Sequence, residues 1–227
     1  MINWSAIDTV LLDMDGTLLD LHFDTFFWQE HLPLRYAQIN QIDEQLARQD
    51  IHRQTGEIRG TLNWYCTDYW SRILDIDVIE LKSEICHKIS VRPHCVAFLD
   101  ALRSAGKEVV MVTNAHQDSL ALKMEVTQIA DKFDSMITVH EFSLPKENPL
   151  CWSEVNKRHP FEPATTLLID DNLQALHSAR DFGIKYLLAI DKPDSKGPCI
   201  DTDDFLSIRF FDEIMPIAPG HSSMGKL

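Results

Sequence analysis

The sequence predicts an α/β protein: a doubly wound parallel sheet with helices on both faces, and an all-helical segment inserted early in the chain. Three observations carry this expectation. Short, nearly continuous apolar runs recur along the chain, the pattern of strands buried on both faces. Segments with helical spacing lie between them and end at glycine. One interval, from about His22 to Arg92, breaks this rhythm. It is rich in aromatics, glutamine, isoleucine and leucine and reads as a cluster of helices.

The first run is TVLLD, ending at Asp13. The others are EVVMVTN ending at Asn114, TTLLIDD ending at Asp171, and KYLLAI ending at Ile190. In HCVAFLDALRSAG, residues Val96, Phe98, Leu99 and Leu102 recur near helical spacing, and Gly106 stands where a helix would stop. NLQALHSARDFG repeats the scheme with Gly183. In an open sheet of this kind, ligands bind outside the carboxyl ends of the strands. An insertion after the first strand can cover that edge.

At 227 residues the chain fits one large domain, or a core domain carrying an insertion. It is 44% hydrophobic and 25% charged, as soluble globular proteins are. Thirty-five acids against 21 Lys and Arg leave a net charge of −14. That balance argues against nucleic acid held through its phosphates. It leaves room for a small anion, because a local cation overrides the global sign. The five cysteines include no C-x-x-C pair, so no zinc cluster or disulfide framework is expected, and buried thiols in a reducing compartment are. The start, MINWSAIDTVLLDMDG, lacks the basic flank of a signal peptide, and no apolar run is long enough to span a membrane. A cytoplasmic protein is expected. The stretch from Pro216 onward reads as irregular.

Four short features sit at the ends of the strand runs or between them. Asp13-Met14-Asp15-Gly16-Thr17 places two acids beside a buried strand, which is costly without a partner. Asp13 suits a nucleophile, since a carboxylate can accept a phosphoryl group. Asp15 suits a general acid and base. Taken alone, the same residues fit a strand followed by an Asp-Gly turn. Thr113 and Asn114 offer a hydroxyl and an amide suited to phosphate oxygens, or simply a strand end and its turn. Lys146, in SLPKENP, can neutralise a phosphate and a carboxylate together, though solvated lysines are common. Asp170 and Asp171 read as metal ligands or as a helix cap. In combination, three strand ends bring Asp13, Asp15, Thr113, Asp170 and Asp171 to one edge. Carboxylates crowded there call for a divalent cation, and an all-oxygen set suits Mg2+. The pair at Asp13 and Asp15 then makes sense as a metal-assisted phosphoryl acceptor.

These residues, in this order, resemble the haloacid dehalogenase superfamily: D-x-D-G-T after a strand, a strand-end Thr, a Lys and a strand-end acidic pair. The resemblance covers nearly the whole chain. It implies a core domain of residues 1–20 and 92–227, with a helical cap of the C1 type at 21–91. It also implies Asp13 as nucleophile and Mg2+ ligand, and Asp15 as acid and base with its carbonyl on the metal. Thr113 and Lys146 would hold the phosphate. Asp171 would ligate the metal directly, and Asp170 directly or through water. Members that dehalogenate lack the second acid, so Asp15 points to a phosphatase. LPLRYA, WYCTDYWSR, RPH, VTNAHQDSLALKME and IDDN resemble the bacterial GMP/IMP nucleotidases of this superfamily, which implies loss of the 5′-phosphate from purine ribonucleotides. Asn172 departs from the Ser that many relatives carry there. The rival readings are a phosphatase for a sugar phosphate or phosphoglycolate, a 2-haloacid dehalogenase, and a non-catalytic binding protein.

Within the insertion, Trp64, Tyr65, Tyr69 and Trp70 are expected on one helix, with Tyr65 and Tyr69 four apart on a shared face. They can stack on a purine base or fill the insertion's own core. Arg35 and Tyr36 read either as specificity groups or as a helix surface and its packing. Among His116 and Asp118, Asp118 is expected to cap the following helix. Asp20–Leu21 and Val91–Arg92 are the expected hinges.

Overall fold

Val10, Leu11 and Leu12 of strand β1 (Thr9–Leu12) are wholly buried, and β1 lies at the centre of the sheet. Alternate side chains point to opposite faces. Val10 and Leu12 join one apolar cluster, and Leu11 joins the other. β2 (Glu108–Thr113) splits likewise, with Val109 and Met111 on one face and Val110 and Val112 on the opposite one. Both faces are covered, so the strand sequences are apolar throughout rather than alternating.

A computed structural model describes residues 2–217; the irregular tail read from Pro216 otherwise lies outside the described residues. After β1 come α1 (His22–Phe26), a π-helical turn (Phe27–His31), α2 (Leu32–Asn40), α3 (Glu44–Glu57), α4 (Leu62–Tyr65), α5 (Thr67–Leu74) and α6 (Val78–Glu84). α7 (Cys95–Ser104) leads into β2, followed by α8 (Gln117–Thr127) and β3 (Ser135–Thr138). Then come α9 (Pro149–Arg158), β4 (Thr166–Asp170), α10 (Leu173–Phe182), β5 (Tyr186–Ile190) and β6 (Ser207–Ile208). The strands are parallel in the order β3-β2-β1-β4-β5-β6. The chain winds outward from β1 in one direction and from β4 in the other. The crevice between the carboxyl ends of these two strands is the switch point of the sheet. β3 and β6 were not among the four apolar runs: both lie at sheet edges, and they span four and two residues.

Gly106 follows α7 with φ +69°, and Gly183 ends α10 with φ +110°, the left-handed stops expected of both. Every helix from α1 to α6 falls between β1 and α7. The way in and the way out lie side by side. Leu19 bridges Val91, Asp20 N donates to the Ser90 carbonyl at 2.9 Å, and Arg92 N donates to the Leu18 carbonyl at 2.9 Å.

The aromatic residues divide differently from the expectation. Cys66, in extended conformation, separates α4 from α5, so Tyr65 and Tyr69 stand on two short helices and not on one face. The break has a local cause: the Cys66 sulfur accepts the backbone N–H of Tyr69 and starts a new helix. Trp70 is core. It is buried, packs edge-on against Trp28 at 5.4 Å between centroids, and donates its Nε1–H to the Trp64 carbonyl at 3.1 Å. Arg35 donates to Glu84 Oε1 at 2.9 Å and to Gln38, a pairing within the helical insertion. Tyr36 packs partly buried against the core. All five cysteines are free. Cys95 and Cys151 are buried as expected, but Cys66 and Cys86 are half-buried and Cys199 is exposed. Among the described residues, no helix is long and apolar enough to cross a membrane.

Arg92 closes the exit of the insertion. Its guanidinium is buried and donates to three carbonyls: Lys192 at 2.7 Å, Pro193 at 3.0 Å and Arg209 at 2.7 Å. Arg92→Ala leaves these acceptors without a donor. It should lower the unfolding free energy by about 3 kcal/mol, read as a shifted urea midpoint with an unchanged slope.

Candidate active site

Asp13 follows β1 directly, and its N–H continues the ladder to the Ile169 carbonyl at 3.0 Å. Asp170 ends the neighbouring β4. Between them lies the Lys146 ammonium, 2.5 Å from Asp13 Oδ1 and 2.7 Å from Asp170 Oδ2. All three residues are buried. Burial, opposed by Lys146 and reinforced by Asp170, raises the Asp13 carboxyl to about 7. Burial also raises Asp170, against the pull of Lys146. The lysine itself stays protonated: burial acts to lower it, and the two carboxylates outweigh that.

Asp171 completes the cluster. One carboxylate oxygen from each of Asp13, Asp170 and Asp171 lies within 4.8 Å of the others. Among the described residues Asp171 has no ion-pair partner, and burial with Asp13 and Asp170 nearby raises its carboxyl well above the ordinary value. Gly16 makes this approach possible. It adopts φ +90°, and a Cβ placed on it would stand 2.5 Å from the Asp171 carboxylate. With all three ionised, three carboxylates against one ammonium would leave two negative charges unbalanced, which is why burial raises their carboxyls unless a further cation is bound. An all-oxygen set with that deficit fits a hard divalent cation. Asn172, next in the chain, caps α10 by accepting the N–H groups of Gln174 and Ala175, so neither Asp170 nor Asp171 is spent as that cap.

The lysine is held from behind. Asn114 Oδ1 accepts the Lys146 N–H at 2.9 Å, and Asn114 Nδ2 donates to Glu147 Oε2 at 2.9 Å. Both ends of the amide are therefore engaged with the Lys146–Glu147 segment, with one Nδ2 N–H left over. Glu147 also accepts from Asn172 Nδ2 and from the Tyr65 hydroxyl, each at 2.8 Å. Thr113 is buried at the end of β2, and its hydroxyl accepts the Ala115 N–H at 3.0 Å. Asp118 lies in the first turn of α8, while His116 occupies the cap position.

Asp15 faces another partner. Its Oδ1 lies 2.6 Å from the buried Lys123 ammonium, which lies 2.6 Å from Asp24 Oδ2; Lys82 lies 2.7 Å from Asp24 Oδ1. Burial raises the Asp15 carboxyl to about 6, with Lys123 pulling down and Asp24 and Asp13 pushing up. A carboxyl in that range can release and recover a proton near neutral pH. Lys123, Asp24, Lys82 and Glu147 were not singled out in the sequence. The signal available for the two lysines is their position on apolar helix faces: Lys123 beside Leu120 and Met124, Lys82 beside Val78 and Leu81.

The family model described as haloacid dehalogenase-like hydrolase matches residues 7–183. The chain belongs to that family. It is 40% identical over 194 residues to the GMP/IMP nucleotidase YrfG of Escherichia coli (strain K12), covering 86% of this chain and 87% of that protein. It is 24% identical over 188 residues to a phosphoglycolate phosphatase of Nitrosospira multiformis, covering 78% and 80%. In fold it resembles a phosphatase of the same family from Thermococcus onnurineus, with a TM-score of 0.77, 23% identity, and 92% and 96% of the two chains covered.

Gly16 offers a direct check on the geometry. Gly16→Ala strains a positive φ and drives a methyl group into the Asp171 carboxylate. The variant should remain folded by circular dichroism, while hydrolytic turnover falls by about 100-fold or more.

Proposed function

We propose that the protein is a Mg2+-dependent phosphatase that removes the 5′-phosphate of purine nucleotides, GMP and IMP, through an aspartyl-phosphate on Asp13. The observation that carries the chemistry is a pair of carboxyls one residue apart, each against its own buried lysine: Asp13 at 2.5 Å from Lys146 and Asp15 at 2.6 Å from Lys123. The substrate class rests on 40% identity to a GMP/IMP nucleotidase along most of the chain.

Asp13, Asp170 and Asp171 are the residues that would hold the cation, together with the Asp15 carbonyl. Bound there, Mg2+ would offset the surplus negative charge and polarise the phosphoryl oxygens. An Asp13 carboxylate oxygen attacks phosphorus, and the bond from phosphorus to the ribose oxygen breaks. Asp15 gives its proton to that leaving oxygen. Asp15 then takes a proton from water as the water oxygen attacks phosphorus, and the bond to Asp13 breaks. Lys146 holds Asp13 in place and faces the phosphate, and Thr113 borders it at the neighbouring strand end. Asn114 keeps its place in the site by fixing the Lys146 segment.

The chain divides, on this reading, into a core of residues 1–20 and 92–227 and a helical cap of residues 21–91. The paired connectors at Leu19 and Val91 support a common hinge, and the Tyr65–Glu147 hydrogen bond supports a closed arrangement. Closure excludes bulk water during transfer, and opening exchanges product for substrate. The resemblance to a phosphoglycolate phosphatase favours a second reading in which the cap selects another small phosphate monoester.

The test is phosphate release from IMP, GMP, AMP, UMP, glucose 6-phosphate and phosphoglycolate, with Mg2+ and with EDTA. Release from IMP and GMP, abolished by EDTA, is expected. Selective release from phosphoglycolate or the sugar phosphate would keep the chemistry and overturn the substrate. Asp13→Asn should abolish turnover and the label trapped on acid-quenched protein from radiolabelled substrate. Asp15→Asn should lower kcat by about 100- to 10,000-fold with a smaller change in KM; unchanged kcat would remove Asp15 from proton transfer.

A further inference from the structure

A second cluster of ligating side chains, sharing no residue with the Asp13, Asp170 and Asp171 set, lies where the helical insertion meets the sheet core. Cys66 stands between α4 and α5 in the insertion, His116 caps α8 after β2, and His140 follows β3. One ligand atom from each lies within 4.8 Å of the others, and all three residues are half-buried. The imidazoles meet edge to face with centroids 5.1 Å apart.

The chemistry of the three is soft where that of the aspartates is hard. A sulfur with two imidazoles suits Zn2+ and is a poor match for Mg2+. Cys66 sits at the start of α5, where its sulfur accepts the Tyr69 N–H at 3.4 Å and is held at the edge of the cluster. His140 Nε2 lies 3.0 Å from the Asn114 carbonyl; donating there leaves Nδ1 unprotonated. Burial, with His116 beside it, lowers His140 and keeps the ring neutral. His116 has Thr67 Oγ1 at 2.7 Å and Asp118 at 3.5 Å from Nδ1, and Asp68 at 3.7 Å from Nε2. A polar partner on one ring nitrogen orients the ring and leaves the other to the metal. An open cavity of about 600 Å3 alongside is lined by Asp68, Asp75, Asp77 and Asp118, a field that draws cations.

We propose that Cys66, His116 and His140 form a second metal site, for a thiophilic divalent cation of the Zn2+ class, which ties the α4–α5 segment to the loops after β2 and β3. Binding releases the Cys66 proton to solvent, and water or a neighbouring carboxylate supplies the remaining ligand. Because Cys66 belongs to the insertion and the histidines to the core, an occupied site holds the two together. Zn2+ at about one equivalent then slows turnover several-fold at saturating Mg2+. The site stands independently of which phosphate ester the protein hydrolyses.

The test uses the full chain with Co2+ as a spectroscopic probe in excess Mg2+. Wild type and Asp13→Asn should both show a thiolate-to-cobalt charge-transfer band that saturates at one equivalent and is displaced by Zn2+. Cys66→Ser keeps a side chain able to cap α5 and should lose the band while remaining folded by circular dichroism. His140→Gln keeps an amide donor toward Asn114 and should weaken Co2+ binding at least tenfold. Zn2+ should raise the Tm of wild type and leave that of Cys66→Ser unchanged. A band that persists in Cys66→Ser would place the cation at another thiol and overturn the proposal. So would the absence of a band in wild type, or Zn2+ inhibition that Cys66→Ser retains in full.

Discussion

Lys146 lies with its ammonium between two buried carboxylates, and much of the surrounding architecture serves to keep it there. Asp13 and Asp170 end adjacent parallel strands, so the sheet itself presses two like charges together. Without a cation between them the arrangement would be strongly destabilised. The lysine comes from a loop, which has no ladder to fix it. Asn114 supplies that fixation through the Lys146 N–H and through Glu147, and Glu147 is in turn held by Asn172 and Tyr65. A side chain from each of three other segments therefore determines where one ammonium stands. The sheet sets the charge problem, and the loop network answers part of it: one ammonium stands against the carboxyls of Asp13, Asp170 and Asp171.

The sequence made the central sheet legible because burial on both faces writes a plain signal. TVLLD, EVVMVTN, TTLLIDD and KYLLAI are apolar because each strand contributes to two cores at once. β3 and β6 lie at the edges and are short, so they carry little of that signal. Asp13, Asp170 and Asp171 were singled out for a related reason: acids next to a wholly buried strand demand an explanation. Lys146, in a loop, stood out only in combination with them. Asn114 shows where such reasoning stops. Its residue type suits a phosphate, and only the fold reveals that its amide also bonds the Lys146 loop through Oδ1 and one Nδ2 N–H. Cys66 shows the same limit. Residue spacing gave no reason to expect a zinc motif, yet the fold gathers Cys66, His116 and His140 from positions far apart in the chain.

The helical insertion was legible as a departure from the strand rhythm, but its inner division was not. One helix across Trp64 to Trp70 is compatible with the local sequence, and the break at Cys66 arises because a sulfur captures a backbone N–H. That break separates Tyr65 from Tyr69. Tyr65 is sent to Glu147 at the Lys146 loop, whereas Trp70 goes into the core beside Trp28. A single capping contact thus decides which aromatic reaches the site.

The alternation Asp15, Lys123, Asp24, Lys82 extends this dependence to the acid proposed to transfer the proton. The four charges sum to zero, which is the condition for burying them together. Within the row the two acids differ in kind. Asp24 lies between two lysines and is held far below the ordinary carboxylate range, although burial opposes this. Asp15 has one lysine on one side and the Asp13 cluster near the other, so burial prevails and its carboxyl rises to about 6. The same chain of contacts therefore makes one acid a fixed anion and leaves its neighbour able to exchange a proton. Asp24 and Lys82 belong to α1 and α6, so the insertion helps set the protonation of Asp15 through charge, in addition to any covering of the site. Shifting either helix would alter the acid before it altered any contact with substrate.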